Sequence, residues 1–352
     1  MPARSAQERM LFMSGAKRQK KNARQPSVIG RVAKGLYIVL FVLSLIVVVS
    51  FVALKVFAPA PTVDSQVTFN PGPRGPDQSN PPSEASGQPE ATPTPLVLNR
   101  RDGVYTCLLL GVADMGGTDT IMLGVFDTQA KTASLISVPR DTVVYYGGKY
   151  QKVNATYAGG EEAVVEAVSD LLGVPVDFWM SINLKAFESI VNQIGGVYFT
   201  VPVDMDYEDP YQDLAIHIKA GYQLLDGKQA VGVMRCRNCY PSADIGRSAT
   251  QRAFLTALVK QTVTLSNASK VTSLINTFSQ YVDTNMPLND MVYFGTQAIG
   301  MDLDSALNAS GLPGEWTNPY WELDDEAVLE LVNGLGIYKE EVPAQVLHIV
   351  HP

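Results

Sequence analysis

From Gly35 to Leu54 the chain reads GLYIVLFVLSLIVVVSFVAL, with no charged residue. At about 1.5 Å per residue this run matches the roughly 30 Å hydrocarbon core of a bilayer. It predicts one transmembrane helix, a signal anchor over residues 35–57. The apolar region of a cleaved signal peptide is shorter, about 7–15 residues. The apolar pattern then lapses. Residues 58–97 hold ten prolines among Ser, Gly, Gln and Glu. Such a composition cannot bury a core, and it predicts an extended, partly polyproline linker.

From Leu98 onward, short apolar runs alternate with helical patterns. YTCLLLGV, DTIMLGVFD, TASLISVP and VDFWMSI have the length and composition of strands, and Pro139 stops the third. NATYAGGEEAVVEAVSDLLG predicts a helix with an apolar face at Ala163, Val164, Ala167, Val168, Leu171 and Leu172, ending at Gly173. LKAFESIVNQIGG, DGKQAVGVMR and DIGRSATQRAFLTALVKQTVTLS predict three more. The expected fold class is α/β: a central, mostly mixed β-sheet flanked by helices, preceded by one transmembrane helix. The folded domain is expected over residues 98–352.

Charge orients this arrangement. Residues 1–34 carry nine Lys or Arg against the single acid Glu8, whereas the whole chain is −8, so residues 35–352 sum to −16. A basic excess ahead of the span predicts a cytoplasmic tail over 1–34 and an extracellular C-terminal domain at the cell membrane. An acidic ectodomain argues against nucleic acid as a partner. The three cysteines, Cys107, Cys236 and Cys239, fit either buried thiols or one disulfide of open pairing.

Within the acidic domain, several guanidinium groups stand at spacings that let them converge. Arg235 and Arg237 would share one face of an extended segment, with Cys236 turned away. Arg247 and Gln251, four apart on a helix, would lie one above the other. Converging arginines suit phosphate, because the planar fork binds two oxygens at once. Surface salt bridging is the plainer account of the same residues. Arg140 follows Pro139 at a strand end, and Asp141 beside it can pair with other charges. Asp114 and Asp119 bracket a short glycine loop. Two carboxylates beside a phosphate site suit Mg²⁺, although Asp114 also fits a β-turn. Asp244 sits at a helix start as a candidate N-cap, and Lys152 and Asn154 fit an ordinary cap. Glu208, Asp209 and Asp213 fit a solvated loop. Trp316, Tyr320 and Trp321 fit packing better than a sugar platform.

These motifs in this order resemble the LytR-CpsA-Psr family. The similarity runs through LLLGV, TDTIML, LISVPRDT, KVNATYAGG, LLGVPVDFWMSINLKAFESIVNQIGGV, VPVDMDY, LLDGKQAVGVMRCR and DIGRSATQRAFLTAL, over about residues 104–260. The resemblance implies an α/β domain with a long hydrophobic pocket for a polyprenyl chain in a Gram-positive type envelope. It implies a Mg²⁺-dependent phosphotransferase that moves a glycopolymer of teichoic acid or capsular type from a polyprenyl-pyrophosphate carrier to peptidoglycan, with pyrophosphate cleavage as a side activity. By motif position, Arg140, Lys152, Arg235, Arg237, Arg247 and Gln251 would bind pyrophosphate. Asp114 and Asp119 would hold the metal, and Arg140, Asp244 and Arg247 would act in catalysis. Three departures from the family pattern stand out. Gly117 and Thr250 occupy places where the family commonly has Arg, and Ala113 takes the place of the first metal Asp, with Asp114 one later. Two missing positive charges leave a second reading open, a non-catalytic lipid-pyrophosphate-binding or regulatory protein.

Overall fold

The computed structural model describes residues 59–69, 95–112, 117–209, 214–240, 244–262, 280–299 and 301–352. The predicted tail, the membrane anchor and Asp114 lie outside them. Among the described residues no helix is long and apolar enough to cross a membrane.

Two short strands open the folded part. β1 (Gln66–Phe69) and β2 (Leu96–Asn99) pair antiparallel. The folded body therefore takes in part of the stretch expected to be linker. Tyr105 adds to this by donating its hydroxyl to the Pro61 carbonyl at 3.4 Å.

The centre is a six-stranded mixed sheet. Its early strands are β3 (Val104–Val112), β4 (Thr118–Asp127) and β5 (Thr132–Val138), an antiparallel meander. The hairpin β6 (Val143–Tyr146) and β7 (Lys149–Lys152) follows. Next comes not one helix but two pieces. A 3₁₀ turn spans Val153–Gly159, and α1 (Glu161–Leu172) starts only after Gly160, whose φ of 86° breaks the helix. The six apolar residues expected on the α1 face are all buried. Gly173 ends the helix in the left-handed region, where any Cβ would collide with Val346.

β8 (Phe178–Asn183) pairs parallel with β3 and leads into α2 (Leu184–Ile194), capped by the Asn183 side chain, which accepts from Ala186 N–H at 2.8 Å. β9 (Val197–Val201), the hairpin β10 (Met205–Asp209) and β11 (Leu214–Ile218), and β12 (Gly221–Leu225) form two small two-stranded sheets. An Asp226/Gln229 capping box starts α3 (Gly227–Arg235). The long α4 (Asp244–Thr262) follows. β13 (Val282–Thr284), α5 (Leu288–Ala298), α6 (Leu303–Ala306), β14 (Leu307–Gly311), the hairpin β15 (Gly314–Thr317) and β16 (Tyr320–Leu323), and α7 (Asp325–Gly334) complete the order. In the central sheet the strands run β13-β8-β3-β4-β5-β14, with β14 parallel to β5 at one edge.

Two apolar clusters hold these layers. One joins the sheet residues Leu108, Leu110, Ile121, Leu123 and Ile136 to α1 and α7. The other gathers around Phe254 of α4, with Phe187, Phe199, Ile216 and Val233. Each fully buried side chain of this size contributes about 1.5–3 kcal/mol. A buried ion pair ties the body together. Arg100 donates to both oxygens of Asp177, at 2.6 and 2.7 Å, and to the Val104 carbonyl at 3.0 Å.

Candidate functional site

The antiparallel register of β4 and β5 builds the first half of the site. Ile121 faces Val138, so two residues further out on each strand Asp119 meets Arg140. Arg140 donates to Asp119 Oδ1 at 2.6 Å. The other carboxylate oxygen lies 4.0 Å from Arg247, in the first turn of α4. One carboxylate from a strand thus bridges guanidinium groups from a loop and a helix. The Asp119 side chain is 43% exposed, Arg140 is 19% exposed and Arg247 only 6%. The cluster opens to solvent through its carboxylate, while Arg247 is sunk into the body.

Asp141 carries the second half. Its Oδ1 takes the Lys152 ammonium at 2.8 Å, and its Oδ2 stands 3.7 Å from Arg140 Nε. Lys152 closes β7 and precedes the 3₁₀ turn without capping it by its side chain. The ordinary-cap reading is therefore corrected, because its ammonium is committed to Asp141. Asp141 was not among the predicted site residues. Its position directly after Arg140 was the available signal.

The α3–α4 corner supplies the remaining arginines. Arg235 is the last residue of α3 rather than part of an extended segment, and only Cys236 beyond it turns extended. Cys236 is buried, Arg235 half-buried and Arg237 exposed. Cys236 forms a disulfide with Cys239, with Cα atoms 5.6 Å apart, and Cys107 is a free thiol. Burial pushes the Cys107 thiol up to about 12. Gln251 is buried, and its amide donates to the Met234 carbonyl at 2.8 Å. That bond ties α4 to the end of α3, next to Arg235. Asp244 opens α4, but its side chain lies outside the description.

The departures at Gly117 and Thr250 have local causes. Gly117 has φ +96°, a conformation an arginine would hold only under strain, and open space surrounds its Cβ position. Thr250 is 5% exposed, so the larger arginine would have to displace the packing around it. Among the described residues no group of three His, Cys, Asp or Glu is placed to hold a metal. Asp119 alone of the predicted pair is described. One carboxylate with phosphate oxygens and water is a donor set that Mg²⁺ accepts. A cleft lined by Val144, Ala167, Leu171 and His348 has a cavity volume of only about 10 Å³, room for about one water and far too little for a prenyl chain.

Comparison with known proteins bears on this geometry. The LytR_cpsA_psr family pattern matches residues 78–335. The chain is 27% identical over 245 residues to the polyisoprenyl-teichoic acid–peptidoglycan teichoic acid transferase TagV of Bacillus subtilis, covering 65% of this chain and 63% of TagV. It is 27% identical to TagT of the same organism, covering 66% of this chain and 77% of TagT. The match to TagV thus spans less than two thirds of that relative. Among solved structures, B. subtilis TagV superposes with a TM-score of 0.59 at 25% identity, covering 67% of this chain and 96% of TagV. TagT bound to LIIa-WTA gives a TM-score of 0.57 at 26% identity, covering 66% and 90%.

Proposed function

The chain belongs to the LytR-CpsA-Psr family, and from that premise we propose that it is a membrane-anchored phosphotransferase. In this reading it moves a glycopolymer from a polyprenyl-pyrophosphate carrier to peptidoglycan at the outer face of the cell membrane. Support comes from relatives named as teichoic acid transferases. The observation that carries the reading is the bridge of Asp119 between Arg140 and Arg247, drawn from three separate elements.

The chemistry follows from charge. A diphosphate brings several negative charges, and Arg140, Lys152 and Arg247 offer fixed positive groups, with Arg235 and Arg237 at the α3–α4 corner. A muramic acid hydroxyl attacks the phosphorus that carries the glycan. A P–O bond to the acceptor forms as the P–O bond to the lipid phosphate breaks. The lipid leaves as its monophosphate, and the hydroxyl proton passes to a base, the role we give Asp244. The guanidinium groups stabilise charge on the transferring phosphoryl and the leaving phosphate. Asp119 would hold a Mg²⁺ ion, which supplies Lewis-acid polarisation of the diphosphate.

The test uses the full chain in detergent with a lipid-diphosphate-linked glycopolymer and peptidoglycan oligomers. The wild type should give covalent polymer on peptidoglycan, and chelation should stop it. Arg140→Ala and Arg247→Ala should each lower the rate at least about 100-fold. Tight binding of the lipid donor without any transfer or pyrophosphate cleavage would instead favour a carrier or regulatory protein.

A further inference from the structure

The hairpin of β15 and β16 plays no part in the chemistry above, yet it is fastened to the site. Trp321 N–H donates to the Asp141 carbonyl at 2.9 Å, and Trp321 forms a parallel bridge with Thr142. Its indole packs against the main apolar cluster. Trp316, its cross-strand partner, behaves differently, because it remains 51% exposed. No other tryptophan among the described residues is so open to solvent.

The surroundings of Trp316 point to a ligand. The Lys152 ammonium stands 5.5 Å from its ring centroid and 2.8 Å from Asp141 Oδ1. Asp141 in turn lies beside Arg140. Lys152 and Asp141 therefore link the half-exposed Trp316 ring to Arg140, with the ammonium over one face of the ring. A ring face carries negative quadrupole charge, which attracts the polarised C–H bonds on one face of a pyranose as it attracts a cation. An aromatic wall with a few aimed polar groups is the usual make-up of a small-ligand site. A sugar phosphate has both halves of the matching chemistry: an apolar ring face joined to an anion.

We infer that the Trp316 hairpin is a saccharide subsite that receives the donor sugar attached to the transferred phosphate. The inference rests on the transferase reading. The donor sugar fits better than an acceptor sugar because it is covalently joined to the phosphate, and so must lie within one linkage of the cationic groups. An acceptor has to approach the phosphorus from the side opposite the lipid phosphate.

The probes are farnesyl diphosphate and the same lipid carrying one N-acetylglucosamine, bound to the full chain in detergent. The sugar should raise wild-type affinity. Trp316→Ala should weaken the sugar-bearing probe about 10-fold and leave the sugar-free one within about 2-fold, while Trp316→Phe keeps most of the affinity. An unchanged melting temperature in both variants separates this loss from misfolding. Equal weakening of both probes, or no gain from the sugar in the wild type, would overturn the subsite alone. Failure of the wild type to bind either probe would remove the transferase reading and the subsite with it.

Discussion

Asp119→Asn separates two roles that one carboxylate cannot fill at once. In the structure Asp119 lies between Arg140, at 2.6 Å, and Arg247, at 4.0 Å, and is 43% exposed. It competes with an incoming phosphate for the same guanidinium groups. Partly exposed pairs of this kind contribute about 0.2–1 kcal/mol each, so removing the charge should release at most about 1–2 kcal/mol for the ligand. At 1.4 kcal/mol per tenfold, binding of a lipid diphosphate without divalent metal should tighten by at most about 5- to 30-fold in the variant. Added Mg²⁺ should reverse the order. The wild type gains affinity and turnover, while Asp119→Asn gains neither. Isothermal titration calorimetry with farnesyl diphosphate, with and without Mg²⁺, reads both effects. Weaker binding by the variant in metal-free buffer would refute the competition argument and make Asp119 a brace that aligns the arginines. An undiminished Mg²⁺ response would refute its role as a metal ligand.

Asp177→Asn leaves the buried Arg100 charge without its counterion and should cost about 3–5 kcal/mol. Scaled by about 2–4 °C per kcal/mol, the melting temperature should fall by roughly 6–20 °C, and a fall under 2 °C would sink the argument. At His351, burial acts to lower the pKa, but the carboxylates of Asp325 and Glu322 outweigh it and raise it above 6.5. A raised folded value means that its stabilisation is full below about 6.5 and fades as pH climbs through the folded value. His351→Gln should therefore lower the melting temperature at pH 5.5 and leave it unchanged at pH 9; the opposite trend would contradict the assignment. For the cysteines, the native chain should resist iodoacetamide at pH 8, because Cys107 stays protonated. Unreduced denatured chain should show one thiol by mass spectrometry, and reduced chain three.

Much of this site was legible in the sequence because local rules placed its parts. Strand runs fixed where β4 and β5 end, and their antiparallel pairing then brought Asp119 to Arg140. The α1 face came from helical periodicity alone. Other features depended on partners distant in the chain. β14, LNASG, has no apolar alternation and becomes a strand only because β5 offers its edge. β1 lies in a proline-rich stretch, and its pairing with β2 outweighs that composition. The tie of Lys152 to Asp141 follows from the local β6–β7 register, but the Trp316 ring beside it required a hairpin from the far end of the domain to fold back. No spacing rule carries that information.

The order in which this body can close has its own consequence. β5, which presents Arg140, stays an unpaired edge until β14 arrives from much later in the chain. The end of α1 is sealed by residues further along still, where Val346 packs on Gly173 and His348 N–H donates to the Leu171 carbonyl. Contacts of such long sequence separation make folding slow. During that interval a bare strand edge beside the arginines invites pairing with a neighbouring chain. Chains cut before Leu307 should therefore accumulate as aggregates rather than as a smaller working domain, so the C-terminal segment acts as an internal chaperone for the edge it finally covers.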